Sequence, residues 1–349
     1  MTLRDPAQSV AESVDGDRAV ALLESVRDHE LPPVLRELVA EYQSLDGARP
    51  WFMWRWVHRL APKNTVPVVD NDRRETVATD KTILVLFITV LDDLLESQSD
   101  YETFEVVCEL VRSGIGGGPV GTPRPDSSVN ESVDGAINEA YVAFARSVWE
   151  TLLDRLERSP SFDRYAPLFR FDVRQITTAI EYSALVIDRP DLATATDLRH
   201  YEVHNMGMNS YLDIDLMHAS VDYTGELDAL RAVVDPAQRM ARIGNWLSTW
   251  ERELREGDVS SGVVVAALEG GLVDADQFTR RENEAVADVE ESIDRIRAAD
   301  IERELLDEWN EEYRRLVSLS DRVDAVDMDQ FVAGTKDVLR YHLASRGLK

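Results

Sequence analysis

The sequence is poor in lysine and cysteine and has no long apolar run. Lysine provides four of its 38 basic residues, and arginine provides the rest. The single cysteine, Cys108, excludes an intramolecular disulfide and a cysteine-based zinc cluster. The longest apolar run lies within residues 82–91 and is too short to span a bilayer, and the N-terminus has no apolar signal-peptide segment. These absences predict a cytoplasmic protein without a membrane span.

Acidic residues are abundant, with 66 aspartates and glutamates and a formal net charge of −28. Such a surface repels phosphates, which argues against nucleic acid and anionic membranes as partners. An acidic, lysine-poor surface is typical of a protein that works in strong salt, because salt screens the repulsion between its carboxylates. We therefore expect a halophilic source, in which a cluster of acidic residues is weak evidence for a site.

Apolar residues recur with a period near 3.6 through most of the 349 residues, as in "VLRELVAEYQSL" and "AYVAFARSVWETLLDRL". This pattern predicts an all-α protein, with a single large helical bundle over residues 16–349 and a polar N-terminal tail over residues 1–15. The segment 113–135 is rich in glycine, proline and serine and is predicted to be a mobile loop. It lacks the preceding strand and the Gly-Lys-Ser/Thr ending of a phosphate-binding loop.

The stretch "LDDLLE", residues 91–96, follows the apolar run "KTILVLFITV". On a helix, Asp92 and Glu96 lie one turn apart on one face, with Asp93 beside them. The preceding turns are apolar all round, which predicts a helix buried inside the bundle. Either this helix simply reaches water at its end, or its carboxylates form a site for a hard cation such as Mg²⁺. Composition alone does not separate the two interpretations.

The same acidic spacing recurs in "EESID" (290–294) and "DEWNE" (307–311). Both stretches lie on segments predicted to be amphipathic, solvated helices. The apolar run before residue 92 distinguishes the first stretch from these two.

A second candidate site lies in "RIGNWLSTWERELREGD", residues 242–258. Asn245, Thr249 and Glu253 are spaced four residues apart, so an amide, a hydroxyl and a carboxylate line one helical stripe. Trp246 and Trp250 beside the stripe predict that this helix is largely enclosed. A mixed oxygen site of low charge suits an Mg²⁺ ion that retains waters.

An acidic motif that ends an apolar helix, followed much later by Asn-x-x-x-Ser/Thr-x-x-x-Glu, resembles the class I terpene synthases. The resemblance covers roughly residues 80 to 345 and includes the Arg-Glu pair and the Gly-Asp turn after the second motif. Two positions depart from the family pattern. Trp246 stands where many members have aspartate, and Glu96 replaces the commoner third aspartate.

The resemblance implies the class I isoprenoid synthase fold and three Mg²⁺ ions, with Mn²⁺ as a substitute. Asp92, supported by Asp93 and Glu96, would bind two ions, and Asn245, Thr249 and Glu253 the third. It implies arginines that hold the substrate diphosphate, and guanidinium groups match phosphate oxygens in geometry. The diphosphate-binding positions that it implies are Arg199, Arg252, Arg340 and Tyr341. Asp92, Asn245 and Arg199 would then be the catalytic residues.

The implied activity is the ionisation of a farnesyl or geranylgeranyl diphosphate, followed by cyclisation or quenching of the carbocation and release of pyrophosphate. Such a cation needs a dry apolar pocket, and aromatic faces can stabilise it. The expected cavity-lining residues are Phe87, Tyr182, Tyr211, Trp246 and Trp250. The expected partner is this small diphosphate substrate, and the chain is expected to be a monomer or a homodimer.

Two alternatives stay open. A chain-elongating prenyl diphosphate synthase would share the helical fold, but it normally carries a second aspartate-rich motif. The nearest stretch here is "YLDIDLMHA", with Asp213 and Asp215, which does not fit that motif. The other alternative is a non-catalytic helical scaffold in which the motifs are coincidental or are remnants.

Overall fold

The computed structural model describes residues 5–113, 137–278 and 289–348, and these residues form fifteen α-helices and no strand. The all-α prediction is confirmed. The segment 113–135, predicted to be a loop, lies outside the described residues except for Ser113. The helices are α1 Pro6–Ser13, α2 Gly16–Arg27, α3 Pro33–Tyr42, α4 Trp51–Leu60, α5 Arg74–Asp92, α6 Tyr101–Ser113, α7 Glu139–Leu156, α8 Phe162–Asp188, α9 Ala195–His200, α10 Met208–His218, α11 Leu227–Glu256, α12 Gly262–Glu269, α13 Val289–Ala298, α14 Ile301–Ser320 and α15 Asp329–Ala344.

Helices α5 and α10 are buried along most of their length, whereas α8 and α11 each also present residues to solvent. Helix α11 packs against α14, α15 and α10, while α8 packs against α10 and α5 packs against α7. Their apolar side chains belong to one hydrophobic core that also includes residues of the outer helices. No helix of the described residues is both long and apolar enough to cross a membrane.

Helix α5 is enclosed on nearly all sides, as its apolar run predicts. From Val77 to Leu91 every residue except Val85 is buried. The α-helix ends at Asp92, and Asp93–Ser97 form a single π-helical turn before the chain reverses at Ser99 with a φ of 54°. Single π-helical turns of this kind are frequent at functional sites. The acidic motif therefore spans the junction between a buried α-helix and the π-helical turn that follows it.

Helix α11, 30 residues long, carries the second motif and ends at Gly257. Gly257 has a φ of 89°, and its N–H bonds to carbonyls of the last helical turn. A residue without a side chain adopts this left-handed conformation at little cost, so glycine ends the helix sharply here. The turn directs the following residue, Asp258, back toward the end of α5.

The predicted polar tail is wrong for residues 6–13. These residues form α1, in which Ala7 and Val10 are buried against α14 and α15. The backbone N–H of Ala7 donates to Asn310 on α14 at 2.8 Å. The segment is polar in composition, but its two buried apolar residues, three positions apart, fall on one helical face that α1 presents to its neighbours.

Candidate active site

A cavity of about 120 Å³ lies between the C-terminal end of α5 and the C-terminal half of α11. Both motifs predicted from the sequence contribute to its wall, although they are far apart in the chain. Its lining consists of four carboxylates, two amides, two threonine hydroxyls, one methionine and three arginines. The lining residues are Arg49, Met53, Thr89, Asp92, Glu96, Asn205, Arg242, Asn245, Thr249, Arg252, Glu253 and Asp258.

The acidic side of the cavity is formed by Asp92 and Glu96. Asp92 accepts a hydrogen bond from the amide of Asn205 at 3.2 Å. Burial, together with the charge of the neighbouring Asp93, raises the pKa of Asp92 to about 7, against the lowering effect of Arg49 and Arg242. Burial and the charges of Asp92 and Asp258 raise the pKa of Glu96 well above its usual value. The cavity therefore concentrates negative charge that protein groups neutralise only in part.

Asp93 has a different environment from its neighbours in the motif. Its side chain is 3% exposed and is not part of the cavity wall. One carboxylate oxygen accepts from the hydroxyl of Tyr42 at 2.5 Å, and the other accepts from Nε of Arg49 at 3.2 Å. The structure thus does not bring Asp93 into the cavity as a metal ligand, and it makes Asp93 an anchor for Arg49.

The Asn/Thr/Glu column lies along α11 on the opposite wall, as its spacing predicts. The side-chain oxygen of Asn245 accepts from a terminal nitrogen of Arg242 at 3.0 Å. The hydroxyl of Thr249 donates to the backbone carbonyl of Asn245 at 2.9 Å. Burial and the nearby Asp258 raise the pKa of Glu253. Since all three side chains face the cavity, they and the α5 carboxylates border the same space.

The donor set suits a hard divalent cation. Asp92, Glu96, Asn245, Thr249 and Glu253 offer oxygen atoms alone, which is the preference of Mg²⁺. Within the described ranges, however, no three histidine, cysteine, aspartate or glutamate side chains converge closely enough to hold a metal ion by themselves. An ion here would be completed by amide and hydroxyl oxygens, waters or a ligand, and Mg²⁺ commonly binds in this way.

Sequence reasoning missed two of the three arginines in the cavity. Arg252 lines it as the resemblance implied, while Arg49 and Arg242 were not expected. The position of Arg242 was readable, because it precedes Asn245 by three residues and so lies on the same face of α11. Arg49 lies in the connection between α3 and α4, where no periodic pattern fixes its direction. Asn205 and Asp258, which also line the cavity, were likewise missed.

The other predicted diphosphate-binding residues are not brought to the cavity. Arg199 forms a two-pronged ion pair with Glu308 on α14, with both nitrogen–oxygen distances at 2.7 Å. Arg340 pairs with Asp337, and the hydroxyl of Tyr341 lies 3.1 Å from that of Ser25. In this structure these three side chains face the outer helices.

None of the five aromatic residues expected to line a cavity does so here. Phe87 packs on Trp149, Tyr182 packs on Tyr201, and Tyr211 lies under the ammonium group of Lys81. The indole of Trp250 donates to Glu302 at 2.8 Å. The ring of Trp246 lies under the guanidinium of Arg242, 5.6 Å away, and approaches Gly262 so closely that a Cβ there would overlap it. Four of these side chains are buried in the core, and Tyr182 is partly buried against it.

The two aspartates of "YLDIDLMHA" also lie outside the cavity. Asp215 is fully buried and pairs with Lys81 at 2.7 Å, and it accepts from the backbone N–H of Val66. Asp213 is equally buried and lies 3.7 Å from a terminal nitrogen of Arg231. Both carboxylates therefore belong to ion pairs within the core.

Comparison with known proteins adds little to this geometry. No protein family matches the sequence, and no curated protein is detectably similar to it. Among solved structures, a polyprenyl synthase from Caulobacter crescentus, complexed with calcium and isoprenyl diphosphate, is similar at 14% identity and a TM-score of 0.49. The match covers 98% of this chain and 98% of that one.

Proposed function

We propose that this protein is a class I terpene synthase, which ionises an allylic prenyl diphosphate and releases pyrophosphate after the carbocation cyclises or is quenched. One observation carries the proposal. Two oxygen-rich motifs, on α5 and α11, face each other across one cavity that also contains three arginines. Anionic and cationic groups in one cavity suit a ligand that is itself an anion bound together with divalent cations.

The acidic and neutral oxygen-bearing residues of the cavity and its arginines would have two different roles. Asp92, Glu96 and Glu253, with the amide of Asn245 and the hydroxyl of Thr249, would hold divalent ions. Mg²⁺, when bound, would supply positive charge that makes the diphosphate a better leaving group. The guanidinium groups would bind the diphosphate oxygens and orient the scissile carbon–oxygen bond toward the bundle interior.

The burial of the site supports ionisation chemistry. Apart from Thr89, helix α5 below the cavity is apolar from Ile83 to Leu91, and every residue of this stretch except Val85 is buried, so water is excluded from the interior side of the site. Exclusion of water strengthens the electrostatic interactions and protects a carbocation from capture.

The cavity is small for a complete substrate. Its volume of about 120 Å³ is below the roughly 300–1,000 Å³ of ordinary small-molecule pockets. It accommodates the polar end of a prenyl diphosphate. The hydrocarbon chain needs space that opens when the substrate enters, between α5, α8 and the turn before α10.

The positions of Asp213 and Asp215 favour cyclisation over chain elongation. A second aspartate-rich metal site would need these carboxylates at the cavity, but they pair with Lys81 and Arg231 in the core. The α11 side of the cavity carries asparagine, threonine and glutamate in their place. This arrangement matches the motif pair of the terpene synthases.

The decisive experiment is incubation of the purified protein with C10, C15 and C20 allylic diphosphates and Mg²⁺ in molar KCl, with and without isopentenyl diphosphate. We expect pyrophosphate and a terpene hydrocarbon or alcohol from at least one substrate without isopentenyl diphosphate, and no turnover in excess EDTA. A longer prenyl diphosphate that forms only with isopentenyl diphosphate would establish the elongating enzyme. No pyrophosphate from any substrate would favour the non-catalytic scaffold.

A further inference from the structure

Arg242 is held in the cavity wall by a buried acid that lies outside the cavity. Its Nε donates to Glu202 at 2.6 Å, and one of its terminal nitrogens pairs with the other oxygen of the same carboxylate. The side chain of Glu202 is fully buried, and that of Arg242 is 11% exposed. Its second terminal nitrogen donates to Asn245, so this end of the guanidinium group is directed at the cavity.

Arg49 is held in a similar way from the other side. Its Nε donates to Asp93, the acidic residue of the first motif that does not line the cavity. Asp93 is fixed in turn by Tyr42, whose hydroxyl oxygen also accepts from the backbone N–H of Arg49. The guanidinium of Arg49 thus stays at the cavity wall, where the charges of Asp92 and Glu96 also act on it.

Both arginines therefore have a buried carboxylate behind them and the cavity in front of them. A planar guanidinium offers five N–H donors, so one that is anchored through Nε still has donors for an anion. Anchoring in advance lowers the entropy lost when a ligand binds. Arg199, by contrast, is anchored to Glu308 between α9 and α14 and does not line the cavity.

We infer that Arg242 and Arg49, rather than Arg199, contact the diphosphate group of the ligand. The inference rests on the proposed function for its ligand class, a diphosphate ester bound with divalent cations. The contact of Arg242 with Asn245 has a further consequence. When a diphosphate draws this guanidinium toward itself, the amide oxygen of Asn245 becomes available to a cation, so diphosphate and Mg²⁺ should bind cooperatively.

The test is calorimetric titration of inorganic pyrophosphate into the intact protein with Mg²⁺, which requires no turnover. We expect Arg49→Gln and Arg242→Gln to weaken pyrophosphate binding by at least about tenfold, since each removes charge-assisted hydrogen bonds. Mn²⁺ binding followed by electron paramagnetic resonance should tighten when pyrophosphate is added to the wild type. It should tighten less in Arg242→Gln.

Two further variants separate ligand contact from a structural effect. Arg231→Gln is the matched control, because Arg231 also lies on α11 and binds a buried carboxylate, Asp172, but outside the cavity. It should lose stability and keep its affinity for pyrophosphate. If Arg242→Gln fails to fold because Glu202 is left unpaired, the double variant Glu202→Gln/Arg242→Gln removes both charges and should fold without tight pyrophosphate binding.

The outcomes also separate this inference from the proposed function. Pyrophosphate binding that depends on Arg49 and Arg242 supports the inference even if no prenyl diphosphate is turned over. A larger loss of affinity in Arg199→Gln than in Arg49→Gln and Arg242→Gln would overturn it while leaving terpene synthesis intact. Wild-type protein that binds no pyrophosphate in the presence of Mg²⁺ would overturn it as well.

Discussion

Three helical stretches of this chain carry two adjacent acidic residues and a third acidic residue three positions later, at 92–96, 290–294 and 307–311. In the last two, most of these side chains are exposed. Glu290, Glu291 and Asp294 on α13 form ion pairs with arginines at the surface. In the first, Asp93 is buried, and Asp92 and Glu96 are enclosed by the end of α5 and by α11.

The difference lies in what surrounds the carboxylates. Burial and mutual repulsion raise the pKa of Asp92 and Glu96, whereas the hydrogen bond from Arg255 lowers the pKa of Glu290. Solvated acids are stable as anions by themselves, while enclosed acids need a proton or a cation. The same spacing of acidic residues therefore indicates a solvated helix face on an exposed helix and a cation site at the end of a buried one.

The largest expected effect comes from replacing an acidic residue of the enclosed motif, with a replacement in an exposed motif as its control. Asp92→Asn removes a carboxylate from the cavity and should lower kcat/KM for an allylic diphosphate by at least about 100-fold, since the charge stabilisation of bound cations contributes several kcal/mol. Asp307→Asn changes an exposed carboxylate that accepts from Gln8 and should stay within about twofold of the wild type. Steady-state kinetics with pyrophosphate detection measures both.

Equal activity of Asp92→Asn and the wild type would show that the enclosed motif is no more functional than the solvated ones. A large loss of kcat/KM in Asp307→Asn would show that the exposed motif at 307–311 also contributes to activity. Melting temperatures of both variants, measured in the same buffer, serve as the folding control.

Sequence alone was sufficient wherever one helix decides the geometry. The column of Asn245, Thr249 and Glu253 follows from a spacing of four residues, and the buried stem of α5 follows from its apolar composition. The repeated acidic patterns were recognisable as solvated for the same reason, because the residues around them alternate between apolar and charged with a helical period.

Sequence was insufficient wherever two elements have to meet. Whether Arg199 faces the cavity or Glu308 depends on how α9 docks on α14, and no local pattern records that choice. The direction of Arg49 depends on the buried pair of Tyr42 and Asp93, which joins the end of α3 to the π-helical turn after α5. The aromatic residues illustrate the same limit, since an enclosed ring packs equally well in a core and in a cavity wall.

A smaller effect should appear in the pH dependence of stability without divalent ions. Asp92 has a pKa of about 7 in the folded chain against an ordinary value of 3.8, so folding favours its protonated form. Its contribution to stability is fully present below about pH 4 and is lost as the pH rises through 7. In EDTA, lowering the pH from 8 to 5 should therefore raise the unfolding free energy of the wild type by about 1–3 kcal/mol relative to Asp92→Asn.

Denaturant unfolding of both proteins in molar KCl at each pH gives this difference. The difference cancels the titrating groups that do not interact with Asp92, while Glu96, whose pKa the charge of Asp92 raises, contributes together with it. Saturating Mg²⁺ should reduce the difference, because a bound cation stabilises the ionised carboxylate. Parallel pH profiles for the two proteins would mean that Asp92 is as well solvated as the acids on α13.

The smallest expected effect is on α13 itself, where Glu291 pairs with Arg295 one turn later at 2.8 Å. Both side chains are largely exposed, so Glu291→Gln should change the unfolding free energy by no more than about 0.5 kcal/mol. Because salt screens such pairs, even this difference should vanish between 0.1 M and 2 M KCl, and pyrophosphate affinity should not change. Denaturant unfolding at the two salt concentrations measures it. A loss of unfolding free energy above about 1 kcal/mol that persists in 2 M KCl would contradict this prediction. It would show that the exposed acidic motif on α13 stabilises the fold as well as keeping the surface solvated. The exposed and enclosed motifs would then differ only in that the enclosed one borders a cavity.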